Sequence, residues 1–184
     1  MFENYISKEL NIYYQNINNS KIKNILKYSL DGGKCIRGAI VKNIINKLSN
    51  NEINIWQPIV SIELIHGISL IIDDLPCMDN DTIRRNKPST FVKFGERQSI
   101  LISFYGMSEA LKLLVDGINS IDKFSTDKIL LNKMLLLINE WNDEIGKNLI
   151  IGQLLDLQEN IEDLLDIKLQ TNNQNIIIYK TASL

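Results

Sequence analysis

Residues 57–79 read QPIVSIELIHGISLIIDDLPCMD, and this stretch decides the class of fold. Its apolar residues occupy several faces of a helix, which indicates a helix buried among other elements. Pro58 suits the first turn of that helix, and Pro76 lies just beyond its expected end near Asp74. The stretch therefore predicts a buried helix that ends in two adjacent carboxylates.

The rest of the chain has the same helical periodicity. Only three prolines occur in 184 residues, and no useful length of sequence alternates with a period of two. A glycine break at 32–33 and a polar loop at 76–90 separate the apolar segments. The predicted helices cover residues 3–16, 20–30, 36–49, 58–74, 95–116, 126–139, 142–159 and 173–184. Residues 175–179 also have the composition of a strand. The pattern predicts an all-α helical bundle in which residues 1–184 form a single domain.

Composition excludes several classes of protein. The net charge of −2 and the pI near 5.5 argue against nucleic-acid binding, which needs a cationic surface. No apolar run reaches the length of a transmembrane helix. Cys35 and Cys77 are too few for a disulfide framework or a zinc site. The first residues lack the pattern of a signal peptide, so the expectation is a cytoplasmic protein.

An acidic cluster lies at the end of the helix predicted at residues 58–74. Asp73 and Asp74 are adjacent, and Asp79 follows after a short loop. Carboxylates this close repel one another, and a hard cation such as Mg²⁺ relieves the repulsion by binding their oxygens. The alternative is a solvated acidic turn without a metal.

Three cations come directly after these acids: Arg84, Arg85 and Lys87. A metal carboxylate site beside paired arginines suits a diphosphate, because the guanidinium fork matches phosphate oxygens. The chain has only four arginines, which makes the pair more informative. The alternative is local charge pairing between the arginines and the aspartates.

His66 lies seven residues before Asp73 and shares a helix face with Leu70 and Asp73. It is either a ligand near the acidic end of the helix or a core histidine. Residues 32–37 (GGKCIR) form a second candidate anion site. There, glycines permit close backbone approach before a helix N-terminus, with Lys34 and Arg37 on one side.

Two further features lie later in the chain. Gln153 and Asp156 share a face of an apolar helix, which indicates either a lined cavity or a hydrogen bond between helices. Lys180 and Thr181 mean little by themselves.

Taken in order, these segments resemble the trans-type polyprenyl diphosphate synthases, in particular the bacterial farnesyl and geranylgeranyl diphosphate synthases. The likeness extends from about residue 28 to the end of the sequence. The matching elements are Gly32-Gly33-Lys34-Cys35-Ile36-Arg37-Gly38, Asp73-Asp74-Leu75-Pro76-Cys77-Met78-Asp79, Arg84-Arg85, Lys87-Pro88-Ser89-Thr90, Phe94-Gly95-Glu96, Gly152-Gln153-x-x-Asp156 and Lys180-Thr181.

The resemblance implies an all-α isoprenoid synthase fold and a prenyltransferase that joins isopentenyl diphosphate to an allylic diphosphate with Mg²⁺. It assigns the metal to Asp73, Asp74 and Asp79. It assigns the allylic diphosphate to Arg84, Lys180 and Thr181. It assigns isopentenyl diphosphate to Lys34, Arg37, His66 and Arg85, and it places Gln153 at the substrate. It also implies a homodimer.

The sequence departs from the family pattern at four positions. Cys35 replaces a basic residue, Gly38 a proline, Ile72 a histidine and Phe104 an aspartate. The family's second aspartate-rich motif lies beyond the position that matches Lys180, so the expectation is the N-terminal portion of a synthase, truncated at the C-terminus. The alternative is a non-catalytic homologue that acts, if at all, as a subunit of a full-length synthase.

Overall fold

The computed structural model of the chain describes residues 2–49, 54–121 and 127–157. Within these ranges the elements are helices and one short hairpin, which confirms the all-α prediction. In chain order they are α1 (Phe2–Asn16), α2 (Ser20–Leu30), α3 (Ile36–Leu48), α4 (Gln57–Asp73), β1 (Ile83–Arg84), β2 (Lys87–Pro88), α5 (Thr90–Phe94), α6 (Glu96–Ile121), α7 (Asp127–Trp141), a π-helical segment (Asn142–Asn148) and α8 (Leu149–Asp156).

The chain divides into two compact units, Met1–Phe124 and Ser125–Leu184. The first unit contains α1–α6 and the hairpin, and the second contains α7, the π-helical segment and α8. The single domain over residues 1–184 stays a prediction.

Most predicted helix boundaries agree with the structure to within a few residues. The differences lie in α6, which continues to Ile121, and around residue 141. There the expected break is absent because Asn142–Asn148 continue the helix in π geometry. The helix or strand predicted at 173–184 lies outside the described residues.

Local chemistry explains where two of these helices begin. The side-chain oxygen of Asn19 accepts hydrogen bonds from the backbone N–H groups of Lys21 and Ile22, at 3.0 and 3.1 Å, and so caps the start of α2. Pro58 lies in the first turn of α4, as predicted, where a missing N–H costs no helical hydrogen bond.

Helix α4 is the centre of the first unit. Ten of its 17 residues are buried, including the consecutive run of residues 59–61, so the prediction that this helix is buried is confirmed. Its most extensive packing is against α6, and it also contacts α1, α2 and α3. At roughly 1.5–3 kcal/mol for each fully buried aliphatic side chain, this helix contributes a large share of the hydrophobic stabilisation.

Two features bring α4 and α6 close together. Gly106 of α6 faces the fully buried Ile68, and the absence of a side chain there lets the two helices approach. Further along, the hydroxyl of Ser61 donates a buried hydrogen bond of 2.7 Å to the carbonyl oxygen of Ala110. Apolar contact and one internal hydrogen bond thus fix the relative position of the two helices.

The first unit also exposes apolar side chains. Apolar side chains of α3 face outward: Ile36, Ile40, Ile44 and Leu48 are 51–83% exposed. Phe104 is 73% exposed on α6, so its bulk lies outside the core. Among the described residues, none of the helices has the length and apolarity that crossing a membrane would require.

A methyl group at residue 106 tests the packing of α4 on α6. In Gly106→Ala the new Cβ would lie 2.4 Å from Cδ1 and 2.7 Å from Cγ1 of Ile68, which is buried and has no solvent to move into. We expect the free energy of unfolding, measured by urea denaturation, to fall by about 1–3 kcal/mol. Ser108→Ala, at an exposed position of the same helix, is the control. Equal stability of the two variants would contradict this account of the packing.

Candidate active site

The acidic turn at the end of α4 is closed by backbone hydrogen bonds. The N–H of Asp79 donates to the carbonyl oxygen of Asp73 at 2.9 Å, and the N–H of Asn80 donates to that of Leu75 at 3.0 Å. Asn80 adopts a left-handed backbone with φ of +55°, a conformation that asparagine tolerates better than most residues. The turn therefore returns Asp79 to the end of the helix that carries Asp73.

Asp74 is almost completely buried and is bound by Arg84. The Nε of Arg84 donates to Oδ1 of Asp74 at 2.9 Å, and Nη2 contacts the same oxygen. Nη2 also donates to Oδ2 of Asp81 at 2.9 Å. Burial raises the pKa of the Asp74 carboxyl, while the hydrogen bonds from Arg84 oppose that rise. The local charge pairing considered for the arginines is thus present at Arg84.

Arg84 belongs to a hairpin that the sequence did not predict. Strands β1 and β2 pair with Arg84 opposite Lys87, and the two residues between them form the turn. Both turn residues are left-handed, with φ of +53° at Arg85 and +60° at Asn86. Such turns suit two-residue hairpins because their twist matches that of the strands. Asn86 is compatible with this geometry, whereas Arg85 adopts it at a cost of order 1 kcal/mol.

Hydrogen bonds to the end of α2 hold Arg85 in this conformation. Its Nη1 donates to the carbonyl oxygens of Ser29 and Leu30, at 2.9 and 2.6 Å. Lys87 likewise donates to carbonyl oxygens at the end of α2, including that of Asp31 at 3.1 Å. These carbonyls have no partner within the helix, so the hairpin caps α2. Arg85 therefore binds backbone carbonyl groups, and not the aspartates of the charge-pairing alternative, through these hydrogen bonds.

A cavity of about 530 Å³ lies between the glycine loop, α3, α4 and the hairpin. The predicted diphosphate ligands of this part of the chain are all in its wall: Lys34, Arg37, His66, Arg84 and Arg85. Gly33 has no side chain, which leaves room for the guanidinium group of Arg85 in the cavity wall. A Cβ on Gly33 would lie 2.9 Å from Nη2 of Arg85. The structure thus brings together, in one cavity, side chains that are up to 51 residues apart in sequence.

His66 is neutral in this cavity. Burial, followed by the nearby charges of Arg37, Arg85 and Arg84, lowers the pKa of its imidazole to about 4. Its Nδ1 is buried and makes no hydrogen bond with the described residues. The lining position favours a ligand-binding role over that of a core histidine, because an unpaired buried nitrogen is costly unless a ligand or water satisfies it.

Glu63 is a feature of this cavity that the sequence analysis missed. It is 6% exposed, and among the described residues lining the cavity it is the acidic one. Its Oε1 accepts a hydrogen bond of 2.7 Å from the backbone N–H of Gly38. A carboxylate three residues before His66 on an otherwise apolar helix was the available signal, since that spacing places both on one face.

Of the three remaining predicted site residues, the structure describes only Gln153. Gln153 lies on α8 in the second unit, and its buried Nε2 has no hydrogen-bond partner among the described residues. Lys180 and Thr181 lie outside the described residues. Within the described ranges, no group of three His, Cys, Asp or Glu side chains has the geometry of a metal site. The three-aspartate metal site stays a prediction.

Comparison with known proteins agrees with this geometry. Residues 19–184 match the family model described as polyprenyl synthetase. The chain belongs to the polyprenyl synthetase family. The resemblance inferred from the motifs is therefore confirmed.

Relatives and solved structures extend this result. The chain is 32% identical over 156 residues to the farnesyl diphosphate synthase of Bacillus subtilis, covering 83% of this chain and 50% of that protein. It is also 32% identical to large subunit 1 of the chloroplastic heterodimeric geranylgeranyl pyrophosphate synthase of Arabidopsis thaliana, with coverages of 89% and 43%.

Among solved structures, a geranyltransferase from Legionella pneumophila aligns with a TM-score of 0.75 and 27% identity. The alignment covers 98% of this chain and 61% of that one. The chain thus spans about half the length of the curated relatives that it matches.

Removing Arg84 tests its pairing with Asp74. Arg84→Ala leaves a buried carboxylate without its cation, and we expect the free energy of unfolding at neutral pH to fall by about 2–3 kcal/mol. This is less than for a fully buried pair, because the Arg84 side chain is 32% exposed. Arg97→Ala, which removes an exposed arginine, is the control for the change in net charge. Chemical denaturation should show a smaller loss of stability for this control than for Arg84→Ala.

The same variant has a defined pH dependence. The interaction needs ionised Asp74, whose pKa burial raises, so its contribution is present above that pKa and is lost as the pH falls through it. The destabilisation of Arg84→Ala should therefore shrink towards acidic pH. A penalty that grows on acidification would contradict the assignment.

Proposed function

We propose that this chain is a prenyltransferase, or the part of one, that condenses isopentenyl diphosphate with an allylic diphosphate. The observation that carries the proposal is the cavity lined by Lys34, Arg37, His66 and two arginines. A concave site with this many cations suits the several negative charges of a diphosphate. Arg84 joins the cavity to the acidic turn, which gives a second diphosphate a position next to the first.

We propose Mg²⁺ as the cofactor and Asp73, Asp74 and Asp79 as its ligands. The donor set fits a hard cation, because carboxylate oxygens are what Mg²⁺ prefers and the turn returns Asp79 to Asp73. Arg84 already compensates part of the charge of Asp74, which leaves Asp73 and Asp79 as the principal ligands. Bound magnesium would neutralise diphosphate oxygens and thereby favour departure of the allylic diphosphate.

The protein's own residues then have distinct roles. Lys34, Arg37 and Arg85 bind the diphosphate of isopentenyl diphosphate, and neutral His66 supplies a hydrogen bond without adding charge. Arg84 is partly exposed and can contact the allylic diphosphate while it holds Asp74. The family resemblance also assigns substrate contacts to Lys180, Thr181 and Gln153. Leu70 of α4 supplies an apolar part of the cavity wall, and an apolar wall that excludes water protects a carbocation from hydrolysis.

Two coarser proposals accompany this function. The substrates are small diphosphates and not nucleic acids, in keeping with the net charge of −2. We also propose that the protein acts in the cytoplasm.

Incorporation of labelled isopentenyl diphosphate into longer prenyl chains tests the proposed reaction. We expect Mg²⁺-dependent incorporation by the wild-type chain and, in Asp73→Ala, a loss of about 10²-fold or more, because a metal-binding carboxylate is removed. Asp116→Ala, at a partly exposed aspartate of α6, should retain activity. Isothermal titration calorimetry with the allylic diphosphate provides the corresponding binding measurement. Mg²⁺-independent binding that Asp73→Ala leaves unchanged would contradict the proposed site.

Association with another chain is the second part of the proposal, as a homodimer or with a full-length synthase. It is supported by the exposed apolar residues of α6, among them Leu101 at 68% and Phe104 at 73% exposure. Apolar surface of this kind favours protein–protein contact. A relative of this chain is named as the large subunit of a heterodimeric synthase.

Light scattering coupled to size-exclusion chromatography tests the association. We expect the wild-type chain to elute as a dimer, or to co-elute with an added full-length synthase, and Phe104→Glu to elute alone because a charge at the contact opposes desolvation. Leu48→Glu, at an apolar residue of α3 that is 83% exposed, is the matched control and should associate as wild type does. A wild-type monomer that binds no synthase would contradict the proposal.

A further inference from the structure

Glu63 stands out because a buried acid lies where an anion is expected to bind. It is 6% exposed and lines the cavity with Lys34, Arg37, His66 and Arg85. A carboxylate that served no purpose here would be costly, because burial disfavours its charge and that charge repels a diphosphate. A hydrogen bond to a neighbouring helix accounts for its presence.

The partner of Glu63 is the first turn of α3. Its Oε1 accepts a 2.7 Å hydrogen bond from the N–H of Gly38, the third residue of that helix. The first N–H groups of a helix have no partner within it, and an acceptor side chain from elsewhere can satisfy one of them. Cys35, which precedes α3, provides no side-chain cap. The acceptor for this turn thus comes from α4.

Gly38 makes this contact available in this chain. Glycine has an N–H to donate, whereas a proline at this position would have none. A Cβ at residue 38 would also lie 3.1 Å from Cγ and 3.2 Å from Oε1 of Glu63. The absence of a side chain at residue 38 therefore lets the carboxylate approach the backbone of α3.

The location of the contact gives it a consequence for binding. Gly38 directly follows Arg37 and lies four residues after Lys34, both proposed ligands of isopentenyl diphosphate. His66 lies one turn after Glu63 on α4. One hydrogen bond therefore connects the segment that carries Lys34 and Arg37 to the helix that carries His66.

We infer that Glu63 is a positioning residue, which holds the first turn of α3 against α4 so that Lys34 and Arg37 face His66 across the diphosphate cavity. This inference rests on the proposed function for the identity of the ligand. The hydrogen bond acts through its acceptor oxygen, and the negative charge of Glu63 is not needed for it. Glu63→Gln keeps that oxygen and removes the charge, so it should retain the hydrogen bond to the N–H of Gly38. Glu63→Ala should lose this hydrogen bond.

Three variants of the full chain test the inference. Glu63→Ala removes the acceptor, Glu63→Gln retains it, and Ser61→Ala removes a different buried hydrogen bond of α4, the one to Ala110. Amide hydrogen exchange of residues 34–40 reports the fixing of α3, and calorimetric titration with inorganic diphosphate reports the binding site. Ser61→Ala controls for a general loss of stability.

We expect Glu63→Ala to lose protection at residues 34–40 and to bind diphosphate about tenfold more weakly than Glu63→Gln, which has the same charge and keeps the acceptor of one well-made hydrogen bond. Glu63→Gln should keep both properties, with equal or tighter binding because a negative charge is gone. In Ser61→Ala, any loss of amide protection at residues 34–40 should be no larger than the loss in the rest of the first unit.

Each of three results would overturn the inference: unchanged protection in Glu63→Ala, equal diphosphate affinity of the alanine and glutamine variants despite lost protection in the alanine variant, or a glutamine variant that loses protection as alanine does. If the wild-type chain binds no diphosphate, the role of Glu63 in binding fails with the proposed function. The exchange data then still decide whether Glu63 fixes α3.

Discussion

The burial of α4 is the constraint on which the rest of the first unit depends. On a helix without a solvent-facing side, a polar group is costly unless another element, a ligand or water satisfies it. Three such groups on or beside α4 are satisfied by three different elements: Ser61 by α6, Glu63 by α3 and Asp74 by the hairpin. The polar residues of the central helix thus fix the positions of its neighbours, while its apolar residues supply the stabilisation.

The cations of the site are shared between binding and structure. Arg84 compensates a buried aspartate, and Arg85 and Lys87 cap α2, yet both arginines also line the cavity. This double use follows from the geometry of the guanidinium group, which has five N–H donors and can bond to protein while others remain for a ligand. A cation held in this way loses less freedom when a diphosphate binds, which favours affinity.

Much of the fold could be predicted from the sequence because helical periodicity is a local property. The apolar spacing placed α2 and α4 within a residue or two, and the proline at 58 and the glycines at 32–33 marked their limits. One cavity is lined by the predicted diphosphate ligands Lys34, Arg37, His66, Arg84 and Arg85, and their binding of a diphosphate stays a prediction. That grouping came from the ordered motifs, because no local pattern shows that residue 34 lies near residue 85.

What could not be predicted depends on contacts between distant segments. The hairpin could not be predicted because each of its strands has two residues, which is too short to show a period of two. The left-handed Arg85 has no propensity signal, since arginine adopts that conformation only when partners such as the carbonyls of Ser29 and Leu30 hold it. The partner of Glu63 was hidden for the same reason, as it is a backbone group 25 residues earlier.

The two-residue turn has a consequence for how this segment can change in evolution. Consecutive arginines on either side of the strand end reach two different helices, Arg84 towards the end of α4 and Arg85 towards the end of α2. Because Arg84 ends the strand and Arg85 begins the turn, inserting or deleting one residue before Arg84 would shift both side chains out of these positions. Surface loops usually tolerate changes of length. This one should accept substitutions at Asn86 far more readily than any insertion or deletion.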